Sequence, residues 1–192
     1  GHFKRRQKTI KDNRKMTKYS LDDIKKNVDE LALKINAPTN LLPSYGQQTW
    51  DAHPYIEVDK LGFMFYIISE RGQEYERKMT DKIDDLLYWI FASVTFSMAC
   101  DYELKNRIEY KDCRRIMFDK QEELLGLLNK NWQQKENAEH QNILKNHPFD
   151  DLAGLRATYC GQLRQQGLSE TEIFCKYTKN NREILIFYKL FL

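Results

Sequence analysis

Glu136, Glu139, His140 and His147 recur at helical spacing and lead into Asp150 and Asp151, side chains able to hold a divalent metal or move a proton. On a helix continued to residue 147, Glu136, His140 and His147 share one face, the arrangement a small metal-dependent hydrolase would use. The H-E-x-x-H pattern of zinc hydrolases is absent, and a solvated polar helix face accounts for the same residues. Asp81, Asp84, Asp85, Asp101 and Glu103 form a second acidic series. Compensation of a helix dipole and i,i+4 pairing explain them without acid–base chemistry, leaving an acidic surface for a basic partner. Cys100, Cys113, Cys160 and Cys175 are far apart, with no C-x-x-C pair. They fall in helical patterns, where free cysteines behave as small buried hydrophobes. There is no phosphate-binding loop, no G-x-G-x-x-G and no G-x-S-x-G. These residues predict a protein without a catalytic centre, cofactor or metal.

Charge separates the chain into two parts. Residues 1–15 carry seven basic side chains against Asp12, a net +6. The chain as a whole is only +3, so residues 16–192 carry −3. The basic segment could grip phosphates and make the chain nucleic-acid-associated, but Phe3 is its only stacking side chain. An acidic body speaks against a general nucleic-acid surface. No apolar stretch follows the basic N-terminus, so the expected compartment is the cytoplasm, with Met16 as the expected natural start.

The elements that must position these residues form an α+β fold. It is expected to be a three-stranded antiparallel meander packed on a predominantly helical body with a long central apolar helix. Residues 1–18 read as a basic flexible extension, 19–182 as a single domain and 183–192 as an apolar C-terminal tail. Ser20 caps a helix whose stripe is Ile24, Val28, Leu31 and Ile35, ended by Pro38. Residues 39–52 read as a connecting loop. Strands follow at 56–58, 63–68 and 74–79, with turns at 59–62 and 70–72. The middle strand, apolar at nearly every position, is the central one.

Leu86 to Cys100 is a run of fifteen uncharged residues. It is shorter than the roughly 20 residues a bilayer span needs, so it reads as a core helix. With its flanks it predicts a helix over 83–109, spanning ~40 Å, with most of its circumference covered. A helix over 111–129 should bury Ile116, Met117, Leu124 and Leu128. One over 131–146 should be anchored by Trp132, Ile143 and Leu144. Leu152, Leu155, Tyr159 and Leu163 make the next stripe, closed by Gly167. Leu168, Ser169, Glu172 and Ile173 combine a capping box with a hydrophobic staple.

Several motifs in order resemble immunity protein family 63 of bacterial polymorphic toxin systems. They begin with Asn36-Ala37-Pro38, Leu41-Leu42-Pro43, Ile56-Glu57-Val58-Asp59, Glu70-Arg71-Gly72 and Glu74-Tyr75-Glu76-Arg77. Asp84-Asp85-Leu86-Leu87-Tyr88-Trp89-Ile90-Phe91, Val94-Thr95-Phe96-Ser97, Asp101-Tyr102-Glu103-Leu104 and Arg107-Ile108-Glu109 continue the likeness. Pro148-Phe149-Asp150-Asp151 and Gly167-Leu168-Ser169-Glu170 close it. Residues 1–15 and 174–192 depart from the pattern. The resemblance implies a non-catalytic protein that neutralises a cognate toxin, such as a nuclease, by tight binding, without membrane or nucleic acid as partner. Glu57, Asp59, Glu70, Arg71, Asp101, Tyr102 and Glu103 are the expected partner-binding residues.

Overall fold

A computed structural model describes residues 19–47 and 51–173. The basic extension at 1–18 and the apolar tail at 183–192 lie outside the described residues. The elements in order are α1 (Leu21–Lys34), a 3₁₀ turn (Thr39–Leu41), β1 (Ser44–Tyr45), β2 (Tyr55–Val58), β3 (Met64–Glu70) and β4 (Gln73–Thr80). Then come α2 (Ile83–Lys105), α3 (Arg114–Leu128), α4 (Lys130–Asn146) and α5 (Ala153–Gln165). The fold is mixed α+β, and the chain groups into two compact units. Among the described residues, one comprises those of 19–30 and 42–90, and the other those of 31–41 and 91–173.

In the first unit, Ser20 and Asp23 close a capping box at the start of α1. The Asp23 amide donates to Ser20 Oγ and the Ser20 amide to Asp23 Oδ2. Ile24 and Val28 on the predicted stripe are fully buried. The sheet has four strands in the order β1-β2-β3-β4, not three. The addition is β1, which pairs in parallel with β2 through Ser44↔Tyr55 and Tyr45↔Ile56 inside the segment expected to be a loop. Two residues are too few to show alternation, so the sequence carries no strand signal there. The other two pairings are antiparallel, as the meander requires. None of the seven residues of β3 is fully exposed, as expected of the central strand. Arg71 and Gly72 join β3 to β4 with φ of 51° and 80°, two left-handed residues in a tight hairpin turn.

Thr80 leads into α2, accepting from the Lys82 amide and donating to Asp85. Lys78 Nζ lies over the rings of Tyr66 and Trp89, so that face of the sheet looks toward the first turns of α2. At 23 residues, α2 is long and apolar enough to cross a membrane, a length the uncharged run alone does not reach. Leu86, Leu87, Ile90, Phe91, Val94 and Ala99 are nevertheless buried inside the protein, the pattern of a core helix.

In the second unit, α2 ends at Lys105 rather than at 109. The Asn106 amide reaches the carbonyls of both Tyr102 and Glu103, and Asn106 Nδ2 also takes the Tyr102 carbonyl. This closes the last turn. The predicted coverage fails here too. Phe96, Tyr102 and Leu104 are large and exposed on the final turns. Phe91 stacks on Trp132 of α4, and Gln121 of α3 donates to the Ala92 carbonyl. These contacts join α2, α3 and α4.

The buried residues of α3 are Phe118, Gln121, Leu124 and Leu125. Leu124 is the only one of the four predicted there; Ile116, Met117 and Leu128 are half-buried. On α4, Trp132 is buried as expected, but Ile143 is exposed and His140 takes the second inward position. Leu155 and Leu163 anchor α5, and Gly167 ends it at φ 83° while the Leu168 amide returns to the Leu163 carbonyl. The capping box at Ser169–Glu172 forms as predicted, and Ile173 is buried.

Candidate functional site

The series Glu136, Glu139, His140 and His147 does not assemble into one site. His140 is 3% exposed, which corrects the solvated polar face expected there. Its ring stacks on Phe118 at 3.8 Å. Nδ1 lies 2.7 Å from Glu122 Oε1 and Nε2 lies 3.3 Å from Gln121 Oε1. Gln121 uses its amide donors on the Ala92 carbonyl and on Glu136. His140 is therefore the centre of a polar lock between α3 and α4, where burial is offset by a partner on each nitrogen. His147 sits exposed at the C-terminal cap of α4. Among the described residues, no three His, Cys, Asp or Glu side chains come together in a way that could hold a metal ion. Three of the cysteines depart from expectation as well: Cys113 is exposed, while Cys100 and Cys160 are half-buried; Cys175 lies outside the described residues. Burial, then the charge of Asp101, raises the Cys100 thiol above its ordinary range.

The seven expected partner-binding residues divide between the two units. In the first, Glu57 lies 3.5 Å from Arg77, which is itself held in a fork by Glu74. Asp59 Oδ1 accepts the amides of Leu61 and Phe63 and so ties the β2–β3 turn. Glu70 and Arg71 stand at the other end of β3, with the Arg71 side chain 88% exposed. In the second unit, Asp101 and Tyr102 are exposed on the last turns of α2. Glu103 is buried, against the expectation of an exposed acid. Arg107 binds both its oxygens at 2.8 Å and holds its carboxyl below the usual range.

The same unit contains a cleft of about 650 Å³ between the 106–113 loop and the start of α5. Its walls are held by a charged network reaching across some forty residues of chain. Asp112 Oδ2 accepts from the Asp150 amide and from Arg114, whose guanidinium also takes the carbonyls of His147 and Pro148. Asp151 binds the Asp112 amide, Arg115 and Lys111. Hydrogen bonding from Arg115, then from the Asp112 amide, brings the Asp151 carboxyl down to about 2. Phe149 lies under the guanidinium of Arg115 at 4.1 Å, and Arg156 pairs with Asp150. Each carboxylate has its cation, so the network positions loops and offers no free acid–base pair.

Two stretches quoted for their family likeness, Arg107-Ile108-Glu109 and Pro148-Phe149-Asp150-Asp151, thus meet in one place. Residues 59–142 match the Immunity protein 63 family model. The family recognised from the motifs is the one the model finds. The Immunity protein 63 match runs from the β2–β3 turn into α4 and takes in Asp59, Glu70, Arg71, Asp101, Tyr102 and Glu103. No curated protein and no solved structure matches the chain.

Sequence reasoning missed the exposure of Ile108, which lines the cleft. Extending α2 to 109 made that position look like core. The one signal against it was the wholly polar stretch Lys105-Asn106-Arg107 immediately before it.

Proposed function

We propose that this chain is a cytoplasmic immunity protein that neutralises a cognate bacterial toxin by direct, tight and non-catalytic binding. The observation that carries the reading is the family match over residues 59–142. The saturated charge network around Asp112 and Asp151 agrees with it, because fixed ion pairs suit a preorganised binding surface. Protection requires that almost no toxin remain free, so the complex should reach nanomolar affinity or better, about −12 kcal/mol. A toxin nuclease with a basic substrate groove is the partner that the −3 body of residues 16–192 fits best.

The test is co-expression with the adjoining toxin gene in a sensitive host, with affinity purification of the pair. Survival together with a stoichiometric complex is expected. Cell death with no recoverable complex overturns the reading.

A further inference from the structure

Resting on the immunity reading, we infer that the exposed end of α2 and the loop after it form the toxin-docking surface. Ile108, 57% exposed, is the shared wall of two adjacent concavities: the 650 Å³ cleft and a groove of about 340 Å³. Tyr102, 42% exposed, and the half-buried Ile116 line the second groove beside it. A large aliphatic side chain standing between two hollows, next to an exposed tyrosine, has the form of an interface hot spot. The ground beneath it is fixed by Arg107 forked onto the buried Glu103 carboxylate and by the Asp112–Arg114 pair, so little conformational freedom is lost on binding.

Charge selects the occupant. The basic side chains lining the two hollows are matched within the protein: Arg107 by Glu103, Lys111 by Asp151, Arg114 by Asp112 and Lys120 by Glu123. Two exposed lining acids, Glu109 in the cleft and Asp119 in the groove, have no side-chain partner among the described residues. The unbalanced charge is therefore negative, one carboxylate on each side of the apolar ridge. The partner that fits is a protein surface with an apolar recess for Ile108, flanked by lysine or arginine side chains. A second copy of this chain would bring two more unmatched acids to the same place.

The experiment measures affinity and association rate between the full chain and the catalytically inactivated product of the adjoining toxin gene. Ile108→Arg should weaken binding at least about 30-fold, and the milder Ile108→Ala about tenfold. Glu109→Lys with Asp119→Lys should slow association about tenfold. Leu33→Arg, at an exposed leucine lining neither hollow, should stay within about threefold of the parent. Circular dichroism confirms that each variant is folded. Both Ile108 variants binding within about threefold of the parent would overturn the surface while leaving the immunity reading intact. Light scattering that shows a dimer dispersed by Ile108→Arg, with toxin affinity unchanged, also overturns it in favour of a second copy. A parent chain that binds no toxin overturns the immunity reading itself.

Discussion

Asp151 illustrates how far a side chain's task depends on its neighbours. As one of two adjacent acids after a histidine it reads as a metal ligand, yet it is bound by Arg115, Lys111 and the Asp112 amide. These contacts set its folded-state pKa at about 2, below the ordinary carboxylate value of about 3.9. A depressed value means the ionised form is favoured by folding. Its contribution is complete above about pH 4 and disappears as the pH falls toward 2. Asp151→Asn should therefore melt at a lower temperature than the parent at pH 7, with the gap closing as the pH approaches 2.5. A gap of equal size across that range would refute the assignment. His140 likewise takes its task from its neighbours, Phe118, Gln121 and Glu122. Its helix position was legible, but its inward orientation was not, because polar type and spacing alone assign it to solvent.

At the scale of elements, the turn between β3 and β4 carries a testable strain. Arg71 adopts φ 51°, a left-handed conformation that costs a residue with a Cβ and that Asn tolerates better. Arg71→Asn should raise unfolding stability by about 0.5–1 kcal/mol, read from urea denaturation. A loss of stability would show that the arginine side chain holds the hairpin. Helix starts were the most legible features. Ser20 and Ser169 announce theirs because a capping box is written in four consecutive residues. The end of α2 was not legible: Glu103–Arg107 is a good i,i+4 pair, and it forms across the helix terminus rather than within the helix.

For the molecule as a whole, the +3 net charge conceals an acidic body behind a basic N-terminal segment. If the body meets a basic toxin, association should slow by about tenfold or more as ionic strength rises, while dissociation changes little. A rate independent of salt, measured by stopped flow, would exclude electrostatic steering. What the sequence alone determined is whatever rests on near neighbours: the α+β class, the antiparallel order of β2, β3 and β4, the caps, and the burial of Leu86, Leu87, Ile90 and Phe91. Periodicity and capping act over three or four residues, so local pattern is enough. Only the tertiary structure decided the parallel β1, the division into two compact units, and the meeting of Asp112 with Asp150 and Asp151. It alone decided which acids face water, burying Glu103 under Arg107 and leaving Asp119 free. The β1 pairing depends on where the chain returns after eleven residues and the Asp112–Asp151 contact on its return after thirty-nine, and no local pattern encodes such a path.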